Sequence, residues 1–197
     1  MQHKEIELQG QRIAYYESDG KGVPILFLHG NSMSSLAFAR QFASPLGKKH
    51  RLVALDLPGH GRSAPAQNPK ATYTVPGYAE IVADFVKTLA LDRAVLVGWS
   101  LGGHILLEAS EQLQNTPGLM LFGTPPVGKP MAAEAFHPHP AMGLVFTRDL
   151  SAAEAEAVAT AFINSGSEIP PFFPEDIQRT DGRAREALGI SVGEGRY

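Results

Sequence analysis

Ser100 is the side chain whose neighbours most clearly suggest chemistry. Gly98 and Gly102 stand two residues before and two residues after it, in the stretch AVLVGWSLGGHILLEA at residues 94–109. A serine held in strained dihedrals at a sharp turn needs such neighbours, because a Cβ there would collide with the preceding strand or the following helix. The spacing therefore predicts a serine nucleophile exposed between a strand and a helix.

Two backbone N–H groups are predicted beside this serine. The N-terminus of a helix favours a developing oxyanion, because its N–H groups and dipole point toward it. The N–H of Leu101 is the first predicted donor. The second should come from the loop after the apolar stretch ILFL, where HGNSMS follows at residues 29–34. We expect the N–H of Asn31 to serve there, with its side chain shaping only the loop.

The elements that must position these groups follow from the apolar patterns. A hairpin is predicted on both sides of Gln9-Gly10, because apolar and polar residues alternate there. Buried strands are then predicted at 23–30, 50–56, 94–99 and 118–123, and helices at 35–47, from Pro76 to Leu89, and at 101–113. This alternation predicts an α/β fold with an open, mostly parallel sheet and helices on both faces.

Composition restricts the class of protein. A chain of 197 residues that is 44% hydrophobic has the length and apolar content for one domain with a sizeable core. The net charge of -3 is spread along the chain, which argues against a nucleic-acid partner. The sequence holds no cysteine, and neither a signal-peptide pattern nor a membrane-spanning apolar stretch is found. We therefore expect a soluble cytoplasmic protein without a membrane partner.

Three stretches together resemble the landmarks of the α/β-hydrolase superfamily. They are FLHGNSMSS at 27–35, LDLPGHGRS at 55–63 and VGWSLGGH at 97–104, each at the end of a predicted strand and in the superfamily's order. The resemblance implies a serine hydrolase that needs no cofactor and acts on small or medium apolar esters or lactones through an acyl-enzyme on Ser100. A carbon–carbon bond hydrolase, a cofactor-free perhydrolase or an inactive ligand-binding protein would share the same turn.

The remaining members of a catalytic triad are not found in the sequence. In the superfamily an acid follows a later strand and a histidine follows the last strand. After the sixth strand the stretch GTPPVGKP at 123–130 offers no acidic residue, and no seventh or eighth strand pattern follows. We expect the acid and the histidine beyond Tyr197. The chain would then be a truncated or clipped form, a chain completed by a separate polypeptide, or a natural fragment that has compensated for the missing part. The sixth strand would then expose an edge to a second chain or to self-association.

These patterns divide the chain into three parts. The hydrolase core is predicted at 1–124, a helical lid at 125–190, and a tail at 191–197 that leads to the absent part of the core. The aromatic and methionine side chains of the lid fit either an acyl pocket or the lid's own core. They are Phe136, Met142, Phe146, Phe162, Phe172 and Phe173.

Several other polar residues have structural interpretations. His29 resembles a residue that shapes the oxyanion loop, and Asp56 and His60 resemble a structural loop signature, with Asp56 a weaker alternative as the triad acid. His104 is predicted to be a packing or surface residue, and Trp99 to pack against the sheet or the wall of a pocket. The stretch FHPHP brings His137 near His139, but two histidines with no third ligand nearby predict no metal site.

Overall fold

A six-stranded sheet forms the centre of the molecule. The computed structural model describes residues 1–125, 139–163 and 166–194. The strands are β1 (Gln2–Leu8), β2 (Gln11–Glu17), β3 (Gly22–Leu28), β4 (His50–Leu55), β5 (Val95–Trp99) and β6 (Leu119–Phe122), in the order β1-β2-β4-β3-β5-β6. β1–β2 and β2–β4 are antiparallel pairs, whereas β3–β4, β3–β5 and β5–β6 are parallel. The predicted hairpin and the mostly parallel sheet are confirmed.

Eight helices connect or cover these strands within the described residues. They are α1 (Ala39–Ala43), α2 (Pro45–Lys49), α3 (Pro69–Thr72), α4 (Val75–Thr88), α5 (Leu101–Glu108), α6 (Ala152–Phe162), α7 (Phe172–Arg179) and α8 (Gly182–Gly193). Short 3₁₀ segments occupy Ser35–Phe38, Ala109–Glu111 and Pro140–Phe146. None of the helices in this part of the chain has the length and apolar character needed to cross a bilayer.

The two faces of the sheet bury different side chains, because successive residues of a strand point to opposite sides. On one face Leu26 and Leu28 of β3 pack with the apolar residues of α4 and α5. On the other face Phe27 packs against Phe38 and Phe42, which lie in the 3₁₀ segment and α1. The prediction of helices on both faces is therefore confirmed.

The helix predicted at 35–47 is wrong as a continuous element. The chain instead forms the 3₁₀ segment, then α1, then α2. Ser44, between the two helices, has φ -80° and ψ 173°. Because the ring of Pro45 disfavours helical dihedrals at the preceding residue, the first helix ends there and a second begins. The short helix α3 also lies within a stretch that the sequence pattern leaves as a loop.

A second apolar cluster lies in the part of the chain after β6. We use the name cap segment for Pro140–Phe146 together with α6 and α7, whose buried residues include Val145, Val158, Phe173 and Ile177. Met33, from the loop after β3, is fully buried in this cluster. α8 instead packs Ala184 and Leu188 into the cluster formed by the sheet, α4 and α5.

β6 is an edge strand of the described sheet and is poorly covered. Leu119, Met120 and Phe122 are 44%, 58% and 40% exposed. On its inner side the strand pairs with β5 along its whole length, from Leu96 with Leu119 to Trp99 with Phe122. The exposed apolar edge that the sequence predicts at this strand is therefore present.

Candidate active site

The carboxyl ends of three parallel strands bring the candidate residues to one edge of the sheet. Leu28 of β3 pairs with Gly98 of β5, and Gly98 pairs with Leu121 of β6. The residues that follow these strands consequently emerge side by side. In open α/β sheets this edge is where ligands bind.

Ser100 occupies the turn between β5 and α5. Its φ of 52° and ψ of -117° lie outside the regions that L-residues readily adopt, which stores strain at this position. The N–H of Ser100 donates to the carbonyl of Phe122 at 3.0 Å, and its own carbonyl accepts from the N–H of Gly103 at 2.9 Å. The backbone is thereby fixed on both sides while the side chain remains half-exposed.

The glycines around Ser100 are required by backbone contacts. A Cβ at Gly98 would lie 2.6 Å from the Cα of Gly103, and one at Gly102 would lie 2.4 Å from the carbonyl oxygen of Leu28. Both distances are well inside van der Waals contact with atoms that cannot rotate away. The collisions expected from the sequence are thus present, and they involve β3 as well as β5 and α5.

The loop after β3 approaches Ser100 closely. A Cβ at Gly30 would lie 3.2 Å from the Cβ of Ser100, so Gly30 allows the two turns to touch. We use the name β3 loop for residues 29–36. Asn31 follows Gly30 and Leu101 follows Ser100, so both residues adjoin the point where the two turns meet.

For the N–H groups of Asn31 and Leu101 no protein acceptor is found in the described part of the chain. Leu101 is the first residue of α5, and the first N–H groups of a helix have no intrahelical acceptor. No hydrogen bond from the N–H of Asn31 occurs among the described residues. The side chain of Asn31, in contrast, donates from Nδ2 to the carbonyl of Val145 in the cap segment at 2.8 Å.

His29 holds the base of the β3 loop and is fully buried. Its Nδ1 donates to the carbonyl of Gly30 at 2.8 Å, and its Nε2 accepts from the N–H of Leu57 at 3.0 Å. Burial lowers the pKa of His29 to about 4, so the ring is neutral at neutral pH. Because both ring nitrogens are engaged, His29 is not available as a general base.

Asp56 and His60 also have structural contacts. The carboxylate of Asp56 is 1% exposed and accepts from the N–H groups of Ser35 at 2.7 Å and Arg62 at 2.8 Å. His60 donates from Nδ1 to the carbonyl of Pro58 at 3.0 Å, and burial lowers its pKa to about 3. Both oxygens of Asp56 thus hold backbone, which argues against the alternative of Asp56 as a triad acid.

Aromatic side chains connect the serine turn with the cap segment. The ring of Trp99 is stacked on Phe122, contacts Phe162 edge-on and lies tilted against Phe173. Phe173 is buried in the core of the cap segment, and Phe146 and Phe172 pack against that core. Phe162 is 36% exposed. Met142 is half-buried, whereas Phe136 lies outside the described residues.

No cluster of three or more metal-ligating side chains is found in the described ranges 1–125, 139–163 and 166–194. His139 uses Nδ1 to accept from the N–H of Ala141 at 3.1 Å, at the start of the 3₁₀ segment Pro140–Phe146. His137 lies outside the described residues. His104, on α5, is partly buried, and burial lowers its pKa.

Three supports of the site have no signal in the sequence. Gly103 is one, because a Cβ there would lie 2.1 Å from Oγ1 of Thr124, whose hydroxyl donates to the carbonyl of Ser100 at 3.2 Å. Ser34 and Asp176 are the others, since the Ser34 hydroxyl donates to Oδ2 of Asp176 at 2.5 Å across 142 residues of chain. Such partners are identified only when the chain is folded.

Comparison with known protein families gives a match over most of the chain. The profile of the alpha/beta hydrolase family matches residues 25–191. A pimeloyl-[acyl-carrier protein] methyl ester esterase of Xylella fastidiosa (strain M12) is 34% identical over 112 residues. The matched segment covers 57% of this chain and 40% of that esterase, so this curated relative is matched over less than half of its length.

Solved structures show the same architecture along nearly the whole chain. The N-acyl homoserine lactonase AidH, in complex with N-butanoyl homoserine, is 38% identical with a TM-score of 0.93; the match covers 99% of this chain and 70% of that one. The esterase RhEst1 from Rhodococcus sp. ECU1013 is 24% identical with a TM-score of 0.76, covering 95% of this chain and 72% of its own, and shares the fold.

Proposed function

The chain belongs to the alpha/beta hydrolase family, and on this basis we propose that it is a serine hydrolase of small or medium apolar carboxylic esters or lactones. One observation carries the proposal. Ser100 stands half-exposed in strained dihedrals at the N-terminus of α5, in contact with the turn that begins the β3 loop. A serine in this position faces the amides best placed to stabilise an oxyanion.

In the proposed mechanism the Ser100 hydroxyl attacks the substrate carbonyl carbon and gives its proton to a base. The carbonyl oxygen becomes an oxyanion that accepts hydrogen bonds from the N–H groups of Asn31 and Leu101. Collapse of this intermediate breaks the bond to the leaving oxygen, which takes the proton from the base and departs as an alcohol or, in a lactone, remains as a hydroxyl on the acyl chain. Water then hydrolyses the acyl-enzyme, which releases the carboxylic acid and restores the Ser100 hydroxyl. The base and its acid are not assigned to residues of this chain, and no step requires a cofactor.

Lactones are the substrate class that we propose to test first. AidH, which is described as an N-acyl homoserine lactonase, matches almost the whole chain at 37% identity in its complex with N-hexanoyl homoserine lactone. The Xylella relative is described as a methyl ester esterase, which supports esters as the second class. Trp99 and Phe162 offer apolar surface beside Ser100 for an acyl chain. Carbon–carbon bond hydrolysis and perhydrolysis are separated from these by a substrate panel.

Replacement of the nucleophile tests the proposal most directly. In the intact native protein, Ser100→Ala should lower kcat for p-nitrophenyl acetate and for N-hexanoyl homoserine lactone by at least about 10⁴-fold, because no nucleophile remains. A fluorophosphonate probe should label the native protein on Ser100 and leave the variant unlabelled. The label is located by peptide mass spectrometry.

Ser110→Ala is a matched control, since Ser110 is an exposed serine that follows the same helix. It should react and turn over like the native protein. Unchanged turnover by Ser100→Ala would refute the assignment of the nucleophile. A native protein that neither reacts with the probe nor hydrolyses any of the panel would instead be a ligand-binding protein on this scaffold.

The proposed partners are the small ester or lactone and, at the open side of β6, a further strand. The exposed apolar residues of β6 and its free outer edge support this second part, because an unpaired edge readily pairs with another strand. A second chain and a second copy are both compatible with this edge. The mass of the native protein in solution distinguishes them.

A further inference from the structure

Two buried carboxylates from different parts of the fold bind adjacent residues of the β3 loop. Asp56 follows β4, and its Oδ1 accepts from the N–H of Ser35 at 2.7 Å. Asp176 lies on α7 of the cap segment, and its Oδ2 accepts from the hydroxyl of Ser34 at 2.5 Å. Each carboxylate is 1% exposed. Neighbouring residues of one loop are thus fixed by the sheet and by the cap segment.

The hydrogen bonds of Ser34 determine the direction of its hydroxyl proton. Its Oγ accepts from the N–H of Leu36 at 3.2 Å, as the cap of the 3₁₀ segment Ser35–Phe38. Its carbonyl accepts from the N–H of Ala37 at 3.1 Å. The single hydroxyl proton is therefore donated to Asp176, and the side chain has one arrangement that satisfies all three contacts.

Apolar packing and ion pairing do not account for a carboxylate at position 176. None of the ion pairs in the described part of the chain includes it. Burial raises the pKa of Asp176 to about 6, with a further increase from Asp56 and Glu175, against the lowering effects of Ser34 and Arg179. A buried carboxylate that forms no ion pair is less favourable than an apolar side chain at the same position. Its contact with Ser34 is the feature that an apolar residue would lose.

The cap segment contacts the β3 loop at three consecutive points along the chain. Asn31 donates to the carbonyl of Val145, Met33 is buried among the apolar residues of the cap segment, and Ser34 donates to Asp176. Between them Ser32 has a φ of 61°, and the N–H of Met33 donates to the carbonyl of Gly30 at 3.3 Å. This left-handed turn carries the N–H of Asn31, so its direction depends on how the two ends of the turn are held.

We propose that Asp176 is a positioning residue for the oxyanion amide of Asn31, and that it acts through Ser34. The inference rests on the proposed function. Asp176 fixes Ser34, Ser34 fixes the end of the left-handed turn, and the turn directs the N–H of Asn31 toward the carbonyl oxygen of the substrate. The cap segment in this way supports transition-state stabilisation in addition to covering the site.

Kinetics of single and double variants in the intact native protein test this inference. Asp176→Ala and Ser34→Ala should each lower kcat for p-nitrophenyl acetate about 10-fold with KM changed less than about 2-fold, because the oxyanion contact matters in the transition state. The double variant should lose about 10-fold in total, since both changes remove one interaction. Asp176→Asn should retain kcat within about 3-fold, because the amide oxygen still accepts from Ser34.

Glu175→Gln is the matched control, because Glu175 is the exposed neighbour of Asp176 on the same helix. It should behave as the native protein. If Asp176→Ala fails to fold, Ser34→Ala removes the same hydrogen bond by deleting one oxygen atom and decides the question. Two results would overturn this inference and leave the proposed function intact. One is a kcat of the Asp176 and Ser34 variants equal to that of Glu175→Gln, and the other is a double variant whose loss in kcat is the product of the two single losses. A native protein that is not labelled on Ser100 by a fluorophosphonate would overturn the proposed function and the inference together.

Discussion

The serine turn, which carries Ser100, and the β3 loop meet at the same edge of the sheet. Steric packing holds the first, whereas side-chain hydrogen bonds hold the second. The serine turn is fixed by close backbone packing: a Cβ at Gly98 would collide with the backbone of Gly103, and one at Gly102 would collide with the carbonyl of Leu28. The β3 loop is fixed by polar side chains, with His29 bound to the N–H of Leu57 and Ser34 to Asp176. One region depends on the absence of side chains and the other on their presence.

This difference indicates what each region tolerates. Steric collisions with backbone cannot be relieved by a rotamer change, so the serine turn should respond to any added atom. Hydrogen bonds from separate elements can be weakened one at a time, so the β3 loop should respond in steps. The proposed reaction needs both, since nucleophile and oxyanion donors must be aligned together.

The largest effect is expected where a methyl group is added to the serine turn. Gly98→Ala would place a Cβ 2.6 Å from the Cα of Gly103, and we expect the free energy of unfolding to fall by at least about 3 kcal/mol. Gly118→Ala is the control, because the nearest atom to its Cβ, Cγ1 of Val95, lies 4.0 Å away. Urea unfolding of both variants provides the measurement. If the two variants were equally stable, a steric collision could not be the reason why position 98 requires glycine.

An intermediate effect on the free energy of unfolding is expected when the carboxyl of Asp176, which binds the β3 loop from the cap segment, is titrated. Burial raises the pKa of Asp176 from 3.8 to about 6, so its contribution to stability is present below about pH 4 and is lost as the pH rises through 6. Relative to Asp176→Asn, the native protein should therefore lose on the order of 2 kcal/mol of unfolding free energy between pH 4 and pH 7. Denaturant unfolding across this range measures the difference. Parallel pH curves would contradict the burial of a titrating carboxyl at this position.

The smallest effect is expected from the side chain of Asn31. Asn31→Ala keeps the backbone N–H but removes the hydrogen bond to Val145, and we expect kcat to fall about 10-fold, equivalent to about 1.4 kcal/mol. Asn68→Ala changes an exposed asparagine that makes no capping hydrogen bond and should leave kcat unchanged. Steady-state kinetics with p-nitrophenyl acetate compare the two. A loss as large as that of Ser100→Ala would mean that the side chain, and not the backbone, provides the donor.

The parts of the fold that the sequence predicted well are those governed by short-range patterns. β3 to β6 lie where the apolar runs place them, β1 and β2 lie where the alternation does, and α4 follows its helical spacing. The helix predicted at 101–113 begins as predicted but ends at Glu108, and the chain continues as the 3₁₀ segment Ala109–Glu111. The helix at 35–47 failed because the effect of Pro45 on Ser44 outweighed the apolar periodicity. No helix was predicted between the strand at 50–56 and the helix from Pro76, because the four residues of α3 are too few to show a helical period.

The sequence by itself indicated the turn at Ser100 through the spacing of Gly98 and Gly102, and the collision that requires Gly98 is local, since it involves Gly102 and Gly103. The collision that requires Gly102 involves Leu28 and His29 and so depends on the packing of β3 against this turn. The sequence also determined the alternation of strands and helices that brings the carboxyl ends of β3 and β5 together. Only the tertiary structure decided how the β3 loop is held. Ser34 and Asp176 are 142 residues apart, and neither residue type nor spacing relates them until α7 packs over the loop and excludes water from their hydrogen bond.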